Sequence, residues 1–206
     1  MSDQSGDAAP GSVTHRSARS FTGQMRSLLL LSALALLSAC AGANPGTRPR
    51  AATDAEYLRS RDLMVPVQGV KRSQLRDTYS APRSGGRAHL ALDIMARKGT
   101  RVLAADDGYI LRIVRNELGG KTLYLTDDQR RFVYYYAHLD EWRYGLEEGQ
   151  RVHRGQLIGS VGTTGNAPAG APHLHFQLMR MGANRQYWNG EPLNPIPYLR
   201  RTGKER

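Results

Sequence analysis

From residue 65 to residue 199 the chain is a succession of short apolar runs broken by turn-forming residues, and this punctuation restricts it to an antiparallel β domain. Segments 101–104, 109–114, 121–126, 132–139, 157–161 and 173–179 are rich in Val, Ile, Leu and Tyr. Asp106-Asp107-Gly108, Gly119-Gly120 and Asp127-Asp128 stand between them as hairpin signals. The 22 Gly and 10 Pro fall mostly at such joints, which suits a sheet and not a helical bundle. The expected fold class is therefore mainly β, a single antiparallel sheet without internal repeats. Thr53-x-x-Glu56 has the form of a capping box, which predicts a short helix up to Leu63 just before the β region. The Tyr134-Tyr135-Tyr136 run predicts two faces of one strand, with core on one side; a tyrosine lining a groove beside His138 is one alternative for the other.

Within this β frame the polar residues are unusual. The chain has six histidines, and four of them sit in three short segments: His89 in GRAHLALD together with Asp93, His138 in YYYAHLD, and His173 and His175 in PHLHF. His and Asp are what a divalent transition metal takes from a protein, and a catalytic zinc usually takes three ligands and leaves a position open. Three ligands with two histidines left over to move protons are the parts of a zinc hydrolase. In a strand His173 and His175 share a face, with Cα atoms roughly 6.6 Å apart. Either one binds metal while the other reaches water or substrate, or both bind; geometry alone does not choose. His89 and Asp93 would be about 13 Å apart on a straight strand, too far for one ion. A helical turn would bring them close, but the segment is short and β-flanked, so the spacing predicts a bend.

Taken singly these residues say little. A lone His138 after a Tyr run reads as a hydrogen-bonded strand residue, and HxxxD recurs by chance. HxH is more telling, because two imidazoles on one apolar strand are costly to bury without a shared purpose. Their joint occurrence carries the argument. His15 and His153 have no partner spacing and read as ordinary. The 162–172 loop, GTTGNAPAGAP, enters the HxH strand and is placed to wall a cleft.

The N-terminal part reads as an export signal. Residues 28–37 form an almost unbroken apolar run, with Arg16, Arg19 and Arg26 before it and Ser38 and Ala39 after it. This is too short for a membrane span of about 20 residues and matches a secretory leader over 1–39. Met25-Arg26-Ser27 before the leucines would be a more ordinary start, so the expected initiation is at Met25. Leu37-Ser38-Ala39-Cys40 resembles the lipobox of bacterial lipoproteins, which makes Cys40, the only cysteine, a lipidation site and an anchor to a membrane. Residues 40–64 then hold the lipidated Cys40 and a tether whose first part, 41–52, is rich in Pro, Gly and Ala. Residues 200–206 are a basic tail. Removing three Arg and two Asp with the leader leaves a net charge of +10 instead of +11. Such a chain is drawn to carboxylate-bearing or lipid surfaces. The export signal excludes nucleic acid as a partner.

The stretches GRAHLALDIMARKGTRVLAADDGYI, YYYAHLDE, GQRVHRGQLIGSVGTTGNA and APHLHFQL resemble, in order, the successive blocks of the lysostaphin/LytM-type zinc endopeptidases, family M23. The likeness covers residues 65–199. It implies the duplicated-hybrid-motif-like β domain of that family and hydrolysis of peptide cross-links in bacterial peptidoglycan, in wall remodelling or division. Carried over by motif, it implies one zinc ion held by His89, Asp93 and His175, with His138 and His173 as catalytic histidines. Ala91 stands where the family usually has Gly; Ala is tolerated there unless φ is positive. No HExxH is present, so a histidine carries the proton. Ala41 follows Cys40 where an Asp would signal inner-membrane retention in enterobacteria-like lipoproteins, so the lipobox resemblance implies a periplasmic protein anchored at the inner leaflet of the outer membrane, while the family resemblance implies peptidoglycan and cell-wall regulators as partners. The alternative within the family is a non-hydrolytic LytM-type activator of cell-wall amidases, but such members have lost metal ligands, and all five residues are present here.

Overall fold

A computed structural model of the chain describes residues 52–200. The leader over 1–39, Cys40, most of the tether and residues 201–206 of the tail lie outside the described residues. Nine strands make one antiparallel sheet: β1 (Leu92–Met95), β2 (Arg101–Leu103), β3 (Gly108–Asn116), β4 (Gly120–Asp127), β5 (Phe132–Trp142), β6 (Arg151–Val152), β7 (Leu157–Val161), β8 (His173–Arg180) and β9 (Glu191–Leu193). The ladder runs β1-β8-β5-β4-β3-β6, with β9 on β8 and with β7 joining β5 to β2. The expected mainly β fold and all six predicted strands are present.

Alternation along the strands divides the sheet into two faces. Leu92 and Ile94 of β1, Leu123 and Leu125 of β4, Tyr134 and Tyr136 of β5, and Leu174, Phe176 and Leu178 of β8 are buried in one apolar core. Burying each such large side chain is worth about 1.5–3 kcal/mol. Asp93, Tyr124, Tyr135, His173, His175 and Gln177 occupy the intervening positions and share the opposite face. The Tyr run thus has the predicted two faces.

One irregularity matters for the site. Between the pairs Lys121↔Leu139 and Leu123↔Tyr136, β5 carries one residue more than β4. This is a β-bulge, and His138 stands in it with φ +60°. Unbroken alternation would send His138 into the core behind Tyr134 and Tyr136. The bulge instead leaves Leu139 in the core and turns His138 to the polar face. β5 changes neighbours at the same place, pairing with β8 up to Ala137 and with β7 from Leu139.

The helix α1 (Asp54–Arg61) is capped as predicted. The Thr53 hydroxyl accepts from Glu56 N, and the Glu56 carboxylate accepts from Thr53 N at 2.7 Å. It ends at Arg61, two residues short of the predicted Leu63, because Asp62 turns left-handed at φ 52°. Its Tyr57 and Leu58 enter the core, and the Tyr57 hydroxyl donates to the buried Asp127 at 2.6 Å. Arg61 and the Tyr134 hydroxyl both donate to buried Asp106. The segment therefore packs on the core and not over the polar face. Thr53→Ala is expected to lower stability by about 1 kcal/mol through loss of the cap, measured as a lower urea midpoint with an unchanged slope.

Candidate metal centre

His175 and Asp93 face each other because β1 pairs with β8 in the register Asp93↔His175, and directly opposed side chains on one face lie within reach. The third member arrives by a bend. Leu90 adopts φ +59°, and the chain reverses between His89 and Asp93. Gln177 Nε2 donates to Leu90 O at 3.0 Å and holds the reversal against β8. The left-handed residue is Leu90 and not Ala91, so the extra methyl of Ala91 meets no backbone penalty and is simply buried.

The resulting geometry is compact. His89 Nε2 lies 3.0 Å from His175 Nδ1, and Asp93 Oδ1 lies 3.1 Å from each. Bonds of about 2.0–2.1 Å to a tetrahedral zinc place ligand atoms about 3.3 Å apart, close to what is seen. The proton count points the same way. His89 Nδ1 lies 2.9 Å from Thr78 O; a carbonyl only accepts, so Nδ1 carries the proton and Nε2 offers a lone pair. A lone pair, a carboxylate oxygen and the second imidazole nitrogen converge on one point, and a cation satisfies all three. Burial would raise the Asp93 carboxyl, but the His175 and His89 imidazoles beside it outweigh this and hold it well below the usual carboxylate range. Burial likewise pushes the His175 imidazole down, partly offset by Asp93. The residues fit a metal.

His138 and His173 stand beside this trio, with ring centroids 5.0 Å apart. The His138 ring is 5.6 Å from that of His175, and His173 Nε2 is 3.7 Å from Asp93 Oδ1. Both rings are oriented by the 162–172 loop. His138 Nδ1 donates to Thr164 O at 2.8 Å, and His173 Nδ1 donates to Ala171 O at 2.8 Å. Each therefore keeps Nε2 as its basic nitrogen. Burial pushes His138 down to about 4, with the Thr164 carbonyl opposing and His175 and His173 adding to the shift. It is neutral at pH 7 and able to accept a proton.

The loop stays in place through close backbone approach. A Cβ on Gly120 would lie 2.2 Å from Thr164 Oγ1, and one on Gly165 would lie 2.3 Å from Gly120 N. Both glycines also have positive φ. The Thr164 hydroxyl meanwhile donates to Leu139 O and accepts from Lys121 N.

Several contributors carried no sequence signal. Thr78 accepts from His89 through its carbonyl, while its hydroxyl accepts from Asp93 N at 3.0 Å. Arg83 Nη2 donates to Asp93 Oδ2. The two oxygens of Asp93 are thus divided, Oδ1 to the histidines and Oδ2 to Arg83. Tyr135, unlike these, was signalled by the Tyr run, and it lines the site with its ring 6.0 Å from that of His175. His153 is elsewhere, exposed beside Asp107.

A sheet of this topology carrying a His/Asp/His trio and two further histidines on one face has the composition of a metallopeptidase. Residues 87–195 match the profile of Peptidase family M23, and the chain belongs to that family. It is 33% identical over 132 residues to an L-Ala--D-Glu endopeptidase of Bacillus subtilis, covering 61% of this chain and 39% of that protein. It is 30% identical over 118 residues to a lipoprotein NlpD/LppB homolog of Pseudomonas aeruginosa, covering 57% of this chain and 35% of the other. Among solved structures, the antimicrobial peptidase lysostaphin from Staphylococcus simulans superposes with a TM-score of 0.54 at 26% identity, over 68% of this chain and 53% of that one. The chain thus spans well under two thirds of the length of each of these proteins.

Proposed function

We propose that this protein is a zinc-dependent endopeptidase that hydrolyses peptide cross-links of bacterial peptidoglycan. The observation that carries the reading is the convergence of His89 Nε2, Asp93 Oδ1 and His175 Nδ1 within 3.1 Å of one another, with two more histidines presenting basic nitrogens beside them. Held by His89, Asp93 and His175, a zinc ion would supply Lewis acidity, polarising a carbonyl and lowering the pKa of water from about 15.7 towards 7. His138 or His173 takes the proton of the attacking water on Nε2 and then, as an imidazolium, donates it to the leaving amine. The other donates to the oxygen that gains charge as the carbonyl becomes tetrahedral. The carbonyls of Thr164 and Ala171 fix both rings in the orientation this exchange requires. An amidase activator has no use for this convergence.

Relatedness to a lipoprotein homolog supports an envelope location. The finer reading is a leader over 1–39, a lipid on Cys40, a tether to residue 64, and a peptidase domain over 65–199 facing the periplasm from the outer membrane's inner leaflet. The decisive experiment is digestion of purified cross-linked muropeptides, with and without chelator, read by mass spectrometry. Chelator-sensitive conversion of dimers to monomers is the expected result, and the masses identify the bond. Persistent dimers with zinc present would refute the reading.

Arg83 provides a narrower test. By engaging Oδ2 it leaves Oδ1 alone to the metal, as a residue behind a ligand does. Arg83→Ala is expected to weaken zinc binding about 10–100-fold, measured by competition with a chelating dye, while the melting of the metal-free protein stays unchanged.

A further inference from the structure

The polar face continues beyond the histidines as a row of aromatic rings. From His175 the ring of Tyr135 is 6.0 Å away, Tyr124 is 4.5 Å from Tyr135, Tyr187 is 4.9 Å from Tyr124, and Trp188 is 4.8 Å from Tyr187. Tyr124 and Tyr135 are register partners on β4 and β5. Tyr187 and Trp188 come from the connection between β8 and β9. The tyrosines are half-buried against one another, but Trp188 remains 61% exposed with its ring at 82° to Tyr187. Trp188 thus ends, with most of its side chain in water, a row that begins at a metal-site histidine.

We propose that Trp188, backed by Tyr187, is a platform for a sugar ring of the glycan strand whose stem peptide is cut at the metal centre; this rests on the peptidoglycan reading above. An indole face is the negative side of a quadrupole. The C–H bonds on one face of an N-acetylhexosamine carry partial positive charge and lie flat against it, with no ionic partner needed. Arg112, which hydrogen-bonds Tyr187, is already paired with Glu148 at 2.9 Å, so its charge is engaged.

The lengths agree. Trp188 lies no more than roughly 20 Å from His175 along the row. A stem of four residues reaches about 14 Å when extended, and the lactyl ether that joins it to the sugar extends it further. A cross-link at the metal centre therefore brings its own glycan strand to Trp188. A preference for sugar-bearing substrate follows.

Two measurements test this. The chain has two tryptophans, and Trp142 is tied down by a bond from its Nε1 to Thr122 O at 3.1 Å. Fluorescence of the Trp142→Phe protein therefore reports Trp188 alone. Titration with the tetramer of N-acetylglucosamine is expected to give a saturable change, absent from Trp188→Ala. In hydrolysis, Trp188→Ala is expected to raise KM about tenfold on disaccharide-bearing dimers with kcat kept, and to leave cleavage of the same dimers stripped of sugar unchanged. No response to the sugar, equal slowing on both substrates (a peptide contact), or no slowing on either would overturn the proposal. A wild-type protein that binds the sugar but cleaves neither substrate would sink the endopeptidase reading and leave the platform standing.

Discussion

Asp93→Ala is expected to abolish zinc binding and hydrolysis together. Asp93 Oδ1 is the atom that His89, His175 and His173 all approach, at 3.1, 3.1 and 3.7 Å. It is also the only negative charge in the trio, so its loss leaves a dication facing two neutral imidazoles. Residues behind a metal ligand are worth 10–100-fold in affinity, and a ligand that carries the charge is worth more. We expect a loss of at least about a thousandfold in zinc affinity, with the rate falling to background. His175→Ala should do the same, since His175 bridges Asp93 and His89. Zinc content after dialysis, measured beside muropeptide turnover, checks both. A variant that keeps one equivalent of zinc and cleaves normally would remove that residue from the ligand set.

His138→Ala and His173→Ala are expected to separate the two properties. Neither ring offers a nitrogen within the close trio, and each is oriented by a loop carbonyl. Each variant should keep zinc at near wild-type affinity while kcat falls about 10²–10⁴-fold, the usual worth of a positioned proton carrier. Because burial pushes His138 down to about 4, its basic form is fully present at pH 7. Loss of zinc in either variant would move that histidine into the coordination shell.

How much of this was legible in the sequence depended on the range of the interactions involved. The six predicted strands, β2 to β5, β7 and β8, carry their own β-type runs, and the helix start was written in Thr53 and Glu56. β1, β6 and β9 were missed. β6 spans only Arg151–Val152, and β9 is the Pro-containing Glu191–Leu193; both exist only through pairing with β3 and β8. β1 was hidden by the bend at its entrance. That bend itself was predictable, because an extended chain separates His89 from Asp93 by more than one ion can span. The residue that makes it was not, since Leu at φ +59° has no sequence signature and is held by Gln177 from β8. His138 is the reverse case. Its identity stood out, yet strict alternation would have buried it, and only the bulge against β4 turns it outward. Thr78, Arg83 and Thr164 act through backbone carbonyls or the far oxygen of a carboxylate, contacts fixed by tertiary approach that a residue type does not advertise.

The most direct measurement is to strip the protein of metal with chelator, remove the chelator, and follow cleavage of cross-linked muropeptides as zinc is returned in fractions of an equivalent. The account predicts no cleavage at zero zinc, a linear rise, and a break at one zinc per chain. Cleavage that persists without metal, or a break at two equivalents, would contradict a single zinc centre built from His89, Asp93 and His175.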